Sequence, residues 1–257
     1  MASEDASLDL DSIFPEPERP PTPEPTFSVY TRPDPSAEPR DIRIRLVGSH
    51  PLWAHHFHLL WRWNASRSFA SLLDTTRLCQ DHTVLELGAG GALPSIIAVL
   101  SGASKAVVTD YPDAPLIDNI RHNITENVSS SLRDRICVKG YIWGQDVQPL
   151  LDLLSPANTG FDVIILSDLI FNHSQHDALL NTCERSISDH PSACVLVFYS
   201  HHRPHLAHRD MEFFEKARSR GWKTDEIVRE IFPPMFPEDP GDESVRSTVH
   251  GWKLTKS

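Results

Sequence analysis

The chain lacks the sequence features of a membrane-spanning or exported protein. No run in its 257 residues approaches the roughly 18 to 20 consecutive apolar residues that a membrane helix requires. The start, MASEDASLDLD, has neither the basic nor the apolar segment of a secretory signal. We therefore expect a cytoplasmic protein without membrane association. Without a secretory route, we interpret the three glycosylation-type sequences as chance matches; they begin at Asn64, Asn123 and Asn127.

Cysteine is scarce, and its spacing excludes the common cysteine-based sites. The four cysteines stand singly, with no Cys-x-x-Cys pair, so the sequence predicts free thiols rather than a disulfide framework or a zinc ribbon. A histidine group, the only other candidate for a metal site, has neither a cysteine pair nor a His-Glu-x-x-His helix beside it. We predict no metal, and we interpret this group as a wall of the substrate site; it comprises His201, His202, His205 and His208.

Basic residues are fewer than acidic ones, and much of the acidic excess lies in the N-terminal segment. The formal net charge is −11, and residues 1–40 hold nine acidic residues against three arginines, together with nine of the 21 prolines. Such a segment buries too little apolar surface to offset its ordering entropy. We therefore predict a largely disordered acidic tail over 1–40 and a folded domain over 41–257. The charge also disfavours direct nucleic-acid binding, because phosphate backbones repel an acidic protein.

Beyond the tail, short apolar runs alternate with helical patterns, which is typical of an α/β domain with a mainly parallel sheet. The sequence predicts strands at 83–87, 106–110, 136–139, 162–167 and 193–199, with helices at 93–100, 113–127, 174–188 and 209–220. Two final strands, 223–231 and 244–255, have no helix between them. We expect this pair to form an antiparallel hairpin at the edge of the sheet.

The strongest chemical signal is a glycine loop between the first of these strands and its helix. Gly88 and Gly90 let the backbone approach a ligand, and the following helix presents free N–H groups. Asp110 ends the next strand, where its carboxylate can accept hydrogen bonds from two ribose hydroxyls. Dinucleotides and S-adenosylmethionine both use this geometry. Leu93 replaces the last glycine of the dinucleotide fingerprint, and Glu86 suits a ligand with a cationic amine, so S-adenosylmethionine is preferred.

Several motifs in fixed order carry a family resemblance that spans about Ile44 to Trp252. The motifs are Val84–Ser95, Val108–Pro112, Gly140–Gly144 and Leu166–His173. In these motifs the sequence resembles the family 16 seven-stranded methyltransferases, and within them the nicotinamide N-methyltransferase-like branch. The resemblance implies a Rossmann-like class I fold and methylation of the N-terminal α-amine and adjacent lysine of translation elongation factor 1-alpha as protein substrate.

The same resemblance implies a set of site residues. The cofactor site would comprise Trp63, Gly88, Ala89, Gly90, Asp110, Trp143 and Ser167. Asp168 begins a D-x-x-F motif at the point where the transferred methyl should emerge, and it is the candidate catalytic residue that binds and orients the acceptor amine. Two other functions stay open at this point, namely methylation of a small pyridine such as nicotinamide and a catalytically silent cofactor-binding adaptor. A dehydrogenase is a further alternative, which tight NAD binding would establish.

Overall fold

The computed structural model describes residues 25–47, 64–233 and 241–256. In these ranges the chain forms nine strands and seven α-helices. The strands are β1 (Thr26–Thr31), β2 (Asp41–Leu46), β3 (Thr83–Leu87), β4 (Lys105–Asp110), β5 (Ile136–Gly140), β6 (Val163–Ser167), β7 (Cys194–Ser200), β8 (Trp222–Ile231) and β9 (Thr248–Lys256). The helices are α1 (Asn64–Thr75), α2 (Leu93–Leu100), α3 (Ala114–Asn127), α4 (Gln148–Leu151), α5 (His176–Ser186), α6 (Ala207–Ser219) and α7 (Glu243–Ser247).

Seven strands form one mixed sheet in the order β5-β4-β3-β6-β7-β9-β8. The strands from β5 to β7 in this order are parallel, and β9 runs antiparallel to both β7 and β8. This arrangement confirms the predicted α/β fold with its antiparallel C-terminal hairpin. The chain leaves β3 toward one edge and returns through β6 on the other side. The ends of β3 and β6 therefore flank a switch point, where open α/β sheets bind their ligands.

The prediction was wrong about the start of the last strand. Residues 244–247 belong to the short helix α7, and β9 begins only at Thr248. Asp242 explains the difference, because its carboxylate accepts hydrogen bonds from the backbone N–H of Ser244 at 2.8 Å and from its hydroxyl at 2.7 Å. This is the N-cap arrangement that starts a helix.

A two-stranded hairpin, which the sequence pattern did not reveal, precedes the main sheet. β1 pairs antiparallel with β2, from Thr26 opposite Leu46 to Thr31 opposite Asp41. Tyr30, Ile42 and Ile44 face the core and are buried. β1 thus lies inside the segment assigned to the tail, and residues 1–24 lie outside the described residues. The disorder of that part of the tail stays a prediction.

Helix α3 occupies the outer edge of β2 with asparagine side chains. The side-chain amide of Asn127 accepts the backbone N–H of Arg43 and donates to the Arg43 carbonyl, at 2.8–2.9 Å. The side-chain amide of Asn123 makes the same two hydrogen bonds with Arg45, at 2.8–2.9 Å. Asn119 adds a donor to the Arg45 carbonyl at 3.0 Å. Asn64 is also buried and donates to the Pro233 carbonyl at 2.8 Å, so all three glycosylation-type asparagines are buried structural groups, which suits their interpretation as chance matches.

Apolar side chains cover both faces of the main sheet. One face packs against α1, α2, α3 and the hairpin, and the other packs against α5 and α6. Strands β3, β6 and β7 are buried along their whole length. No helix in the described ranges is long and apolar enough to cross a membrane.

Candidate active site

The glycine loop joins β3 to α2 through a left-handed backbone. Gly88 has φ +62° and Gly90 has φ +54°. A Cβ built on Gly88 would lie 2.7 Å from Leu169 Cδ2 and 2.9 Å from Trp143 Cζ2, whereas a Cβ on Gly90 would meet no atom of the described residues within 4 Å. Gly88 is therefore required by the packing of the protein itself. Gly90 borders open space, which a ligand can approach.

Asp110 fastens this loop to the end of β4. Its Oδ2 accepts the N–H of Gly90 and its Oδ1 accepts the N–H of Tyr111, both at 2.7 Å. The N–H of Ala89 donates to the carbonyl of Thr109 at 3.0 Å. Burial raises the pKa of Asp110 above its usual range, although the two backbone donors oppose that shift. Each carboxylate oxygen keeps a further lone pair for a ligand hydroxyl.

Glu86 lies fully buried in the middle of β3 and has one unsatisfied oxygen. Its Oε2 accepts the N–H of Ser95 at 3.1 Å, and its Oε1 makes no hydrogen bond within the described part of the chain. Burial raises the pKa of Glu86 to about 8 against the opposing Ser95 hydrogen bonds, and Asp110 adds to the rise. An orphaned carboxylate oxygen is costly unless a cation or donor satisfies it. This residue and the open space at Gly90 fit S-adenosylmethionine, which carries an ammonium group.

Trp143 and Ser167 lie on either side of this loop. Trp143 is half-buried against Gly88, as the glycine geometry requires. Ser167 ends β6, is buried, and has its Oγ 3.1 Å from the Oγ of Ser66 in the first turn of α1. Trp63, the remaining predicted cofactor residue, lies outside the described residues.

Asp168 follows β6 directly and takes a strained backbone conformation. Its φ is +59°, a value that is uncommon for a residue with a Cβ, and the residue is 4% exposed. Its N–H donates to the carbonyl of Phe198 at 2.7 Å. The next residue, Leu169, contacts Gly88. The predicted acceptor acid and the glycine loop are therefore neighbours, and the strain is of the kind that clusters at functional sites.

A histidine holds the Asp168 side chain. The Nε2 of His202 lies 2.8 Å from both carboxylate oxygens of Asp168. Burial disfavours the charged imidazole and by itself would lower the pKa of His202. The pKa is nevertheless raised, because the negative charge of Asp168, the hydrogen bond to Asp168 and the charge of the nearby Asp210 outweigh burial. Sequence reasoning missed this pair. Asp168 directly follows β6 and His202 lies two residues beyond the end of β7, so finding the pair also required knowing that these two strands are neighbours.

Two further histidines, His173 and His201, contact a second buried carboxylate. Asp210, buried on α6, has one oxygen 2.7 Å from His173 Nε2 and the other 2.7 Å from His201 Nδ1. Of the predicted histidine wall, His201 and His202 contact two different buried acids, whereas His205 and His208 are exposed. In the described ranges, no group of three or more histidine, cysteine and acidic residues is arranged to hold a metal ion.

The comparison with known families decides which chemistry these residues serve. The lysine methyltransferase family matches residues 59–220, which is more than half of the chain. The chain belongs to this methyltransferase family. Similar proteins include "Protein N-terminal and lysine N-methyltransferase EFM7" of Cryptococcus neoformans, 46% identical over 95% of this chain and 87% of that protein. The protein of the same name in Schizosaccharomyces pombe is 43% identical over 95% and 94%.

Solved structures share the fold of this methyltransferase at low sequence identity. TYW2 of Pyrococcus horikoshii, solved with MeSAdo, aligns with a TM-score of 0.52 and 16% identity over 90% of this chain and 72% of that one. The O-methyltransferase TomG of Streptomyces achromogenes, solved with SAM, aligns with a TM-score of 0.50 and 14% identity over 77% and 82%. These similarities support the class I methyltransferase fold.

Proposed function

We propose that this chain transfers methyl groups from S-adenosylmethionine to the N-terminal α-amine of a protein and to the adjacent lysine, with elongation factor 1-alpha as the substrate. One observation carries the proposal: the buried carboxylate of Asp168 lies beside the glycine loop, because Leu169 packs against Gly88. This proximity supports a role for Asp168 in binding the acceptor amine next to the proposed methyl-donor site.

The donor side has the groups that S-adenosylmethionine needs. Asp110 can accept from the ribose hydroxyls, Trp143 can pack on the adenine, and Ser167 lies between the two sides. The free oxygen of Glu86 supports binding of the cofactor's ammonium group. When bound, this cofactor supplies an electrophilic methyl group and leaves as a neutral thioether.

The acceptor side has to position a nitrogen and keep water away. Asp168 can accept an N–H of the incoming amine and direct its lone pair toward the methyl group, which is orientation catalysis. An α-amine, with a pKa of about 8, is partly neutral at cellular pH, whereas lysine, at about 10.4, must lose a proton first. The same acid can serve both acceptors, and the α-amine is the easier of the two.

The identity of the substrate comes from relatives rather than from the site. The relatives' names specify protein N-termini and lysine, and the family resemblance supplies elongation factor 1-alpha. The net charge of −11 favours a basic peptide over a nucleic acid. A translation factor as substrate is consistent with an enzyme of the cytoplasm.

Mass spectrometry of elongation factor 1-alpha after incubation with the protein and S-adenosylmethionine tests this function. We expect a gain of about 14 Da per methyl on the α-amine or the adjacent lysine. Asp110→Ala should abolish the gain, because it removes the ribose acceptor. Asp118→Ala, an exposed acid paired with Arg121 on α3, is the matched control and should leave the gain unchanged.

Two outcomes contradict the proposal in different ways. Turnover of free nicotinamide without methylation of the protein would make the chain a small-molecule enzyme. Cofactor binding without methylation of either acceptor would make it a silent adaptor. Elongation factor 1-alpha and free nicotinamide can be tested as acceptors in the same assay with the same variants.

A further inference from the structure

We propose that His202 is a positioning residue that neutralises Asp168, so that the acceptor site selects a neutral amine over an ammonium ion. This inference rests on the proposed amine methylation and adds the property that decides which protonation state of the acceptor is bound. A methyl group can be transferred only to a nitrogen with a free lone pair, and an ammonium ion has none.

The geometry makes the two side chains one unit. A single imidazole nitrogen is equidistant from both oxygens of Asp168, at 2.8 Å each, which is the distance of a charge-assisted hydrogen bond. The Asp168 side chain is 3% exposed and that of His202 is 18% exposed, so water screens the pair weakly. Phe171 adds an edge-on ring contact to His202, with ring centroids 6.1 Å apart.

Neighbouring charges favour the ionised pair. The charged groups that act on the His202 imidazole include Asp168 at the end of β6, Asp210 on α6 and Arg203 beside it in sequence. The two acids favour the imidazolium, and Arg203 opposes it. Asp210 binds His173 and His201, so it adds negative charge without competing for the nitrogen that holds Asp168.

An isolated buried carboxylate would be a poor acceptor site. It would bind an ammonium ion tightly, raise the pKa of that ammonium and so reduce the fraction with a lone pair. An Asp168 already paired with an imidazolium has no net charge to offer. It can still accept an N–H from a neutral amine, because each oxygen keeps a second lone pair.

Steady-state kinetics across pH tests the proposal with an N-terminal peptide whose lysines are acetylated. His202→Gln removes the charge and keeps a donor, so KM should fall or stay constant while kcat at pH 7 falls about tenfold, the effect of one added unit in the amine pKa. The loss should disappear at pH values above the amine pKa. His202→Lys, which restores a positive charge, should restore the wild-type pH profile. His190→Gln, an exposed histidine in the loop before β7 and outside the predicted histidine wall, is the matched control.

The possible failures are distinguishable. If wild type does not methylate the peptide, the proposed function fails. If wild type is active and His202→Gln matches it, or loses activity equally at every pH, the neutralising role is wrong. A second measurement does not depend on a His202 variant: nitrogen-15 NMR of histidine-labelled wild type should show a His202 imidazolium at pH 7, assigned as the signal that shifts in Asp168→Asn. A neutral imidazole there would overturn the proposal.

Discussion

The two sides of the candidate site hold their carboxylates by different chemistry. On the donor side, Asp110 and Glu86 accept hydrogen bonds from backbone N–H groups. On the acceptor side, Asp168 and Asp210 are bound by histidine side chains. A backbone amide cannot titrate, whereas an imidazole changes charge near neutral pH. The partners that hold the donor-side carboxylates therefore keep their charge at every pH, whereas those on the acceptor side can respond to the protonation of the ligand.

This difference matches the chemical demands on each side. The sulfonium of S-adenosylmethionine keeps its charge at every cellular pH, so its site needs constant geometry. An amine acceptor exists in two protonation states, and only the neutral one reacts. The predictions below test the contrast in order of decreasing effect.

Asp110→Ala should cause the largest loss on the donor side. The variant removes the acceptor for ribose hydroxyls and releases the N–H groups of Gly90 and Tyr111, so we expect the dissociation constant for S-adenosylmethionine to rise about 100-fold, the equivalent of two lost bonds to a charged group. Isothermal titration calorimetry measures it, with Asp118→Ala as the control. A loss of similar size at pH 6 and pH 8 would support a donor side without titrating partners, and a strong pH dependence would contradict it.

Asp210→Asn should cost the most stability on the acceptor side. An amide can accept from one of the two buried imidazoles but presents a donor to the other, so we expect the free energy of unfolding to fall by about 3 kcal/mol. Urea denaturation measures the change. Asp225→Asn, which breaks the exposed pair with Lys223, is the surface control and should change stability by less than about 1 kcal/mol. An equal effect of both variants would refute the structural role of the buried acid.

Two glycine variants should separate protein packing from ligand space. Gly88→Ala should destabilise the fold by about 2 kcal/mol or more, because its methyl group meets Leu169 and Trp143 at a positive φ. Gly90→Ala has only the backbone strain to accommodate, about 1 kcal/mol, and should instead weaken cofactor binding. Thermal unfolding with and without S-adenosylmethionine distinguishes them. Equal loss of stability in both would show that Gly90 is not a ligand-facing position.

Glu86 should give the smallest effect over a single pH unit, visible as a pH slope. Its pKa is raised from 4.5 to about 8, so the folded chain binds a proton that the unfolded chain releases across this window. Stability contributed by this proton is complete below 4.5 and is lost as pH rises toward 8, by at most about 1.4 kcal/mol per unit. Glu86→Gln should lack that slope, whereas the exposed Glu126→Gln should keep it. Parallel slopes for Glu86→Gln and wild type would contradict the burial argument.

Local sequence patterns predicted the main sheet closely. Strands β3 to β8 begin and end within about two residues of their predicted bounds, because apolar β-branched runs between turns are a local signal. The glycine loop and Asp110 were also predictable, since a strand, a glycine turn and the acid ending the next strand form one continuous motif.

The hairpin and the acceptor pair were not predictable in the same way. β1 and β2 are rich in charged and polar residues, and the partners that satisfy β2 lie on α3, about 80 positions further along the chain. His202 and Asp168 are 34 positions apart and meet only because β6 and β7 are neighbours. Identifying that pair required the strand order as well as the residue types.

The asparagines of α3 make a helix act as a third strand for the hairpin. Asparagines four residues apart on a helix repeat every ~6.0 Å, whereas a strand offers a new pair of outward groups every ~6.6 Å. The helix repeat is about a tenth shorter than the strand repeat, so the mismatch in position grows with each asparagine. The side chains therefore match the strand at two positions, Asn127 and Asn123. At the third, Asn119 shares the Arg45 carbonyl that Asn123 already uses. A helix can imitate a strand edge in this way only over a short distance.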